Sequence, residues 1–378
     1  MREKLIGPVV AGLCVAVIAA GGPACASTAP AAKSGAARAS SGSTGRPPEF
    51  AYPDAVAVRG NRVWVANSDD SVTEINAVTG ALIRIVSGRQ YGFNAPVAIT
   101  TTPGAVWIVN IGSANPAGSV TEISASTGAL IRVISARRYQ LIDPAAIAAS
   151  RSTVWVANGG DGLGPGGYSV TEISASTGAL IRVISARRYR LFQPTGVAIA
   201  RNAVWVANES SVTEINAATG ALIRVISARR YRLTGLVGIS ATGNAIWAAI
   251  NADGGEYQTV TEINAATGAL IRVGSSASLP AFAFAMTSDP YGAWLLTNSV
   301  GGKGGGIPDG ILADFSARTG ALARTLSPPI LKNSNGGGGI TAAAGAVWVV
   351  GSSFYNGASW LAEFSAATGK LIRQIISR

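Results

Sequence analysis

The sequence predicts an all-β chain, a seven-bladed β-propeller of four-stranded antiparallel blades, on three observations. The stretch SVTEISASTGALIRVISARRY at 119–139 recurs with small changes along the chain. Its Thr-Gly pairs end at Gly80, Gly128, Gly178, Gly220, Gly268, Gly320 and Gly369, spaced by 48, 50, 42, 48, 52 and 49 residues. Each pair is preceded by a tryptophan, at Trp64, Trp107, Trp155, Trp205, Trp247, Trp294 and Trp348. A period in the forties marks a repeat architecture. With four short β-like runs per copy, seven copies specify seven small sheets around a channel.

Within the second copy the runs are PVAIT (96–100), AVWIVN (105–110), SVTEIS (119–124) and ALIRVIS (129–135). They are rich in Val, Ile, Thr and Trp, and turn residues bound them. No run sustains the 3.6-residue period of a helix of several turns. The third and fourth runs are expected to form a hairpin with a three-residue loop, Ser126, Thr127 and Gly128, the glycine supplying an αL conformation. That register sets Glu122 across from Arg132 and Ile123 across from Ile131. The same separation recurs at Glu74 and Arg84, Glu172 and Arg182, Glu214 and Arg224, Glu262 and Arg272, Asp314 and Arg324, and Glu363 and Arg373. These are read as structural ion pairs. Opposed charges contribute roughly 0.2–1 kcal/mol each and so specify register more than stability.

In chain order, residues 1–26 read as an export signal: Arg2 and Lys4 precede an apolar stretch that ends in small residues and is short for a membrane span. Two processing readings stand side by side. Ala24-Cys25-Ala26 fits cleavage that releases a protein beginning at Ser27, and Cys25 resembles the lipidated cysteine of bacterial lipoproteins. Residues 27–49, rich in Ala, Ser, Gly and Pro, form a flexible linker unable to bury a core. Residues 50–378 make the propeller, seven units of about 47 residues each. The first unit opens with an inner strand and the last closes with an outer one, so repeat and blade coincide. Closure then rests on side-chain packing, unless the segment before Tyr52 adds an edge strand. Blades 6 and 7 depart most from the common pattern and carry Gly-rich insertions at 301–306 and 336–339.

The order PVAIT, GAVWIVN, SVTEIS, ASTGALIRVIS resembles the YVTN-type propeller repeat, with VWVAN at 63–67, 154–158 and 204–208 standing where that family has YVTN. The resemblance covers nearly all of 50–378 and implies the propeller fold. Such repeats serve binding proteins, surface proteins and a few enzymes, so function must come from a site. The streptogramin lyase family, another seven-bladed propeller of similar repeat length, relies on histidines. This chain has none, and no catalytic residue carries over.

Residues 50–378 hold 25 Lys and Arg against 17 Asp and Glu. Nine of these bases fall in the links between one blade's outer strand and the next blade's inner strand: Arg89, Arg137, Arg138, Arg187, Arg188, Arg190, Arg229, Arg230 and Arg232. The links of blades 1–4 are expected to form a basic crescent on one face. Arg137, Arg138 and Tyr139, with Arg187, Arg188 and Tyr189 and Arg229, Arg230 and Tyr231, are the candidate ligand-binding residues. Arginine offers forked donors to carboxylate or phosphate, and tyrosine offers a stacking face. The competing reading has each tyrosine anchoring its link to the neighbouring blade while the arginines keep the surface soluble.

Other groups point to less. Asn67, Asn110, Asn158, Asn208, Asn251 and Asn298 close the second strand in six blades, as turn-satisfying amides or as a ring at the channel mouth. Asp69-Asp70 and Asp161-Gly162 lack the spaced carboxylates of a calcium site, so no metal is expected. With no histidine, the commonest general base, the Ser-His-Asp triad and imidazole ligation are excluded. Cys14 and Cys25 are the only cysteines, so the propeller has no disulfide or thiolate site. No cofactor is expected. The sequence therefore points to an exported, non-enzymatic, monomeric binding or sensing module at the bacterial cell surface, secreted or lipid-anchored. Its expected partners are an anionic wall polymer, a glycan or a protein rather than nucleic acid. The alternative is an extracellular carbohydrate- or quinone-linked enzyme whose paired carboxylates, drawn from acids such as Asp143, Glu209, Asp253, Glu256 or Asp309, face the channel mouth.

Overall fold

A computed structural model describes residues 50–377 apart from 113–117, 136, 161–166, 186, 228, 252–257, 277–280, 300–308, 333–337 and 354–356. The export signal, the linker, Cys25, the Asp161-Gly162 pair, Asp253, Glu256 and the insertion at 301–306 lie outside the described residues.

Seven antiparallel sheets of four consecutive strands each make seven blades. Blade 2 shows the plan from centre to rim: Pro96–Thr101, Ala105–Asn110, Ser119–Ser124 and Leu130–Ile134. The inner strands touch in a ring, blade 1 meeting both blade 2 and blade 7. Helix among the described residues is limited to 3-10 turns of three residues, four of them in the links after blades 1–4: Arg89–Tyr91, Arg137–Tyr139, Arg187–Tyr189 and Arg229–Tyr231.

The core lies between blades. The second strands are buried on both faces because each blade is sandwiched by two others, whereas the outer strands alternate half-buried and exposed. Trp64, Trp107, Trp155, Trp205, Trp247 and Trp294 are fully buried and Trp348 nearly so. Each apolar cluster joins neighbouring blades; Trp107, for example, packs with Ile147, Val154 and Ile173 of blade 3.

Blades 1 and 7 close without exchanging a strand. Phe50, Val56, Val65 and Ile75 pack on Trp348, Val350 and Leu361. The chain before the first strand, at Phe50–Tyr52, adds no strand; instead the Tyr52 amide donates to Ser359 Oγ at 2.9 Å.

The hairpin register agrees with expectation at the ion pair and differs beside it. Glu122 opposes Arg132, but Ile123 opposes Leu130, with a bulge between. The loop has four residues, 125–128, closed by the Gly128 amide on the Ser124 carbonyl and the Ser124 amide on the Ala129 carbonyl. One more loop residue shifts the register by one, and the bulge at Ile131 shifts it back. The bulge turns Ile131 outward, where it is exposed. All seven hairpins repeat this, which keeps all seven pairs opposed.

Candidate functional site

Strand direction sets the two faces. Links and second-to-third loops share one face, and first-to-second turns and third-to-fourth loops share the other. All nine link arginines are exposed, and none has an ion-pair partner among the described residues. They occupy four successive links: Arg89 after blade 1, Arg137 and Arg138 after blade 2, Arg187, Arg188 and Arg190 after blade 3, and Arg229, Arg230 and Arg232 after blade 4.

The tyrosines of those links do not share that exposure. Tyr139, Tyr189 and Tyr231 are buried, their hydroxyls donating to the carbonyls of Gly178, Gly220 and Gly268 in the next blade's hairpin at 2.9, 2.8 and 3.0 Å. In return Thr171, Thr213 and Thr261 donate to the tyrosine carbonyls at 2.6–2.7 Å. The guanidiniums of Arg138, Arg188 and Arg230 stand 5.2 Å over these rings. A buried ring that already carries a cation has no open face for a sugar. The arginines are therefore the accessible half of each Arg-Arg-Tyr motif, and the tyrosines hold the links in place.

Six of the seven paired arginines do more than set register. Arg132 Nε sits 2.7 Å from Glu122, and its Nη2 reaches across the seam to the Ser176 carbonyl of blade 3 at 3.4 Å. Arg84, Arg182, Arg224 and Arg324 reach the next hairpin loop in the same way, and Arg373 closes the circle on the Val78 carbonyl of blade 1 at 2.7 Å. The loop glycine makes room for this: Gly178 has φ +70°, and a Cβ there would lie 2.5 Å from Arg132. Sequence reasoning missed the second contact, because the pairing partner lies in the same hairpin and the carbonyl lies in the next repeat.

Five of the six asparagines do not ring an open mouth, and the side chain of Asn298 lies outside the described residues. Asn67, Asn110, Asn158 and Asn208 are fully buried, and each donates from Nδ2 to a serine and a threonine of its own third strand, as from Asn67 to Ser71 and Thr73 at 3.0 and 3.1 Å. Asn251 instead grips the backbone of Ala283 in the next blade. The acid loop of blade 1 is likewise committed: Asp69 accepts from Ser71, and Asp70 accepts from the Ala95 amide. No group of three metal-ligating side chains occurs among the described residues.

Burial shifts several carboxyls. It raises Glu122, Glu172, Glu214, Glu262 and Glu363, and at Glu122 the charge of Arg132 opposes it. It pushes Asp54, on the innermost strand of blade 1, up to about 6 against the lowering effect of the Ser68 hydroxyl. Asp143, at the start of blade 3, is raised by burial alone. Asp314 rises to about 6 through burial, opposed by Arg324 and assisted by the charge of Asp289. Asp314 lines a cavity of about 490 Å³ in blade 6, between its first turn and its third-to-fourth hairpin. Asp289 is committed elsewhere, accepting from Trp294 Nε1 at 3.0 Å and from the Tyr291 and Gly292 amides. A pair of free carboxylates facing one pocket, which the enzymatic alternative needs, is thus not found in this cavity.

No family model matches the chain, and no curated protein matches it. Among solved structures, the crystal structure of the computationally designed Ika8 protein superposes with a TM-score of 0.56 at 17% identity, covering 87% of this chain and 88% of that one. The likeness is one of fold.

Proposed function

We propose that this chain is an exported propeller of the YVTN-repeat type, and that it binds anionic polymers at the outer face of the cell through the arginine links of blades 1–4. One observation carries the reading: nine exposed guanidiniums without ion-pair partners among the described residues follow the links of four consecutive blades, and buried tyrosines hold three of the four links. A rigid, periodic array of forked donors suits a ligand with repeated carboxylates or phosphates better than a single small anion. The export reading rests on residues 1–26, and Cys25 would add a lipid anchor.

Arg137, Arg187 and Arg229 test this best, because Arg138, Arg188 and Arg230 also cover the tyrosine rings. The propeller should bind inorganic polyphosphate at about 0.05 M salt and release it at about 0.5 M, as screened surface charges require. Changing Arg137, Arg187 and Arg229 together to Glu should abolish binding with the thermal midpoint unchanged. Binding that survives either the salt or the charge reversal would dismiss the crescent.

A further inference from the structure

Seven near-copies of one unit provide an internal comparison, and blade 6 departs from the other six at four places that meet in space. The acid of the hairpin pair is Glu in six blades and Asp314 in blade 6, one methylene shorter. The bulged residue of the outer strand is Ile83, Ile131, Ile181, Ile223, Ile271 and Ile372 in the others and Ala323 here. The second loop residue, at Val78, Ser126, Ser176, Ala218, Ala266 and Ala367 elsewhere, is Arg318. The turn residue whose carbonyl receives the loop amide is Asn61, Gly104, Ser152, Asn202, Asn244 and Gly345 elsewhere and Tyr291 here.

All four line the 490 Å³ cavity, a volume within the usual range of ligand pockets. The two shortened side chains open the space, and the two added ones supply groups to grip with. Asp314 is 2% exposed; its Oδ2 is held by Arg324 at 2.7 Å, while its Oδ1 has no hydrogen-bond partner among the described residues. A buried carboxylate oxygen without a partner is costly unless a donor reaches it. Arg318 is exposed and free of ion pairs among the described residues, and Tyr291 is 55% exposed. Ser316 adds a hydroxyl that accepts from the Arg318 amide and keeps a proton to donate.

The geometry points to a second, separate binding site here, for a sugar acid: a ring whose flat face lies on Tyr291, whose hydroxyl donates to Asp314 Oδ1, and whose carboxylate takes the fork of Arg318. A neutral sugar leaves Arg318 unused, and an aromatic acid without hydroxyls leaves Asp314 Oδ1 orphaned. The site is in blade 6, away from the arginine links of blades 1–4, so it stands or falls independently of polyphosphate binding.

Calorimetric titration of the full chain with glucuronate and with glucose tests the site. Glucuronate should bind about tenfold or more tightly than glucose, the usual scale of a hydrogen-bonded charge, and Arg318→Ala should bring the two level. Asp314→Glu with Ala323→Ile restores what the other six blades carry, which makes it compatible with the fold, and should fill the cavity and remove binding of both sugars. Absence of glucuronate binding at millimolar concentration, equal affinity for the two sugars in the unaltered protein, or full affinity in the filled variant would each overturn the assignment. If the filled variant does not fold, Arg318→Ala, on the exposed loop, suffices: a preference for glucuronate that persists in it would overturn the assignment as well.

Discussion

At the scale of the residue, this propeller places charge where water is scarce and then surrounds it with partners. Arg132 meets a carboxylate of its own blade and a carbonyl of the next, so one side chain joins two sheets. Asp54 has less company, a single hydroxyl from Ser68, and its carboxyl rises to about 6. A folded-state value above the unfolded one means the native protein keeps a proton that the unfolded chain has released. The contribution to stability is therefore full below about 4 and is lost as pH rises to about 6. Asp54→Asn should remove that slope, so that the variant gains on the unaltered protein by of order 2 kcal/mol between about pH 4 and about pH 7. Urea unfolding across that range measures it, and parallel curves for the two proteins would refute the assignment. The Glu122 and Arg132 pairing was legible in the sequence because a hairpin is local. The partnership of Asp54 was not, since Ser68 is brought to it only by pairing of the first two strands.

At the scale of the element, the link and the hairpin form one device. Each 3-10 turn after blades 2, 3 and 4 sends a tyrosine into the seam, where it bonds the glycine carbonyl of the next hairpin. Tyr139→Phe keeps the ring and deletes the bond, and should cost about 1 kcal/mol. Adding Tyr189→Phe and Tyr231→Phe should cost about 3 kcal/mol in all, since the three seams share no side chain. Thermal or urea unfolding of the single and triple variants tests this, and a triple variant no less stable than a single one would show that the bonds are dispensable. Here the sequence held two readings of the same residues, and the structure adds that the tyrosines are buried in the seams while the arginines are exposed. Loop length was hidden for a different reason. A three-residue loop predicts the right ion pair, yet the hairpin reaches it by a four-residue loop plus a bulge at Ile131. Those two one-residue shifts cancel, so the charge pattern alone cannot reveal either.

At the scale of the whole molecule, six of the seven seams share one arginine-to-carbonyl contact, including the seam where blades 7 and 1 meet. Arg373 reaches Val78 as Arg132 reaches Ser176, and Trp348 packs against blade 1 as Trp107 packs against blade 3. The seam between blades 7 and 1 should therefore tolerate being crossed by the chain. A circular permutant that joins residue 377 to residue 50 through about ten flexible residues and begins at Gly88 should fold with a midpoint within about 2–4 °C of the original, the effect of about 1 kcal/mol in a domain this large. A collapse in stability would show that covalent continuity between blades 1 and 2 matters more than the shared seam geometry. The blade count and order were readable from the tryptophan and glycine spacing. The cavity of blade 6 was not, because Asp314 and Ala323 look like ordinary variation until Tyr291 and Arg318 are seen beside them.

The coincidence of repeat and sheet has an ancestral consequence. A stretch of gene encoding one unit carries a complete sheet, its tryptophan, its acid and base, its glycine and, in four copies, its tyrosine. When such a stretch is copied in tandem, the newcomer arrives with both mating surfaces and can be seated between old neighbours without remaking either. The shared ALIRVISARRY of blades 2, 3 and 4 has the form such copying would leave, and a ring of this kind can change its membership by whole sheets at a time.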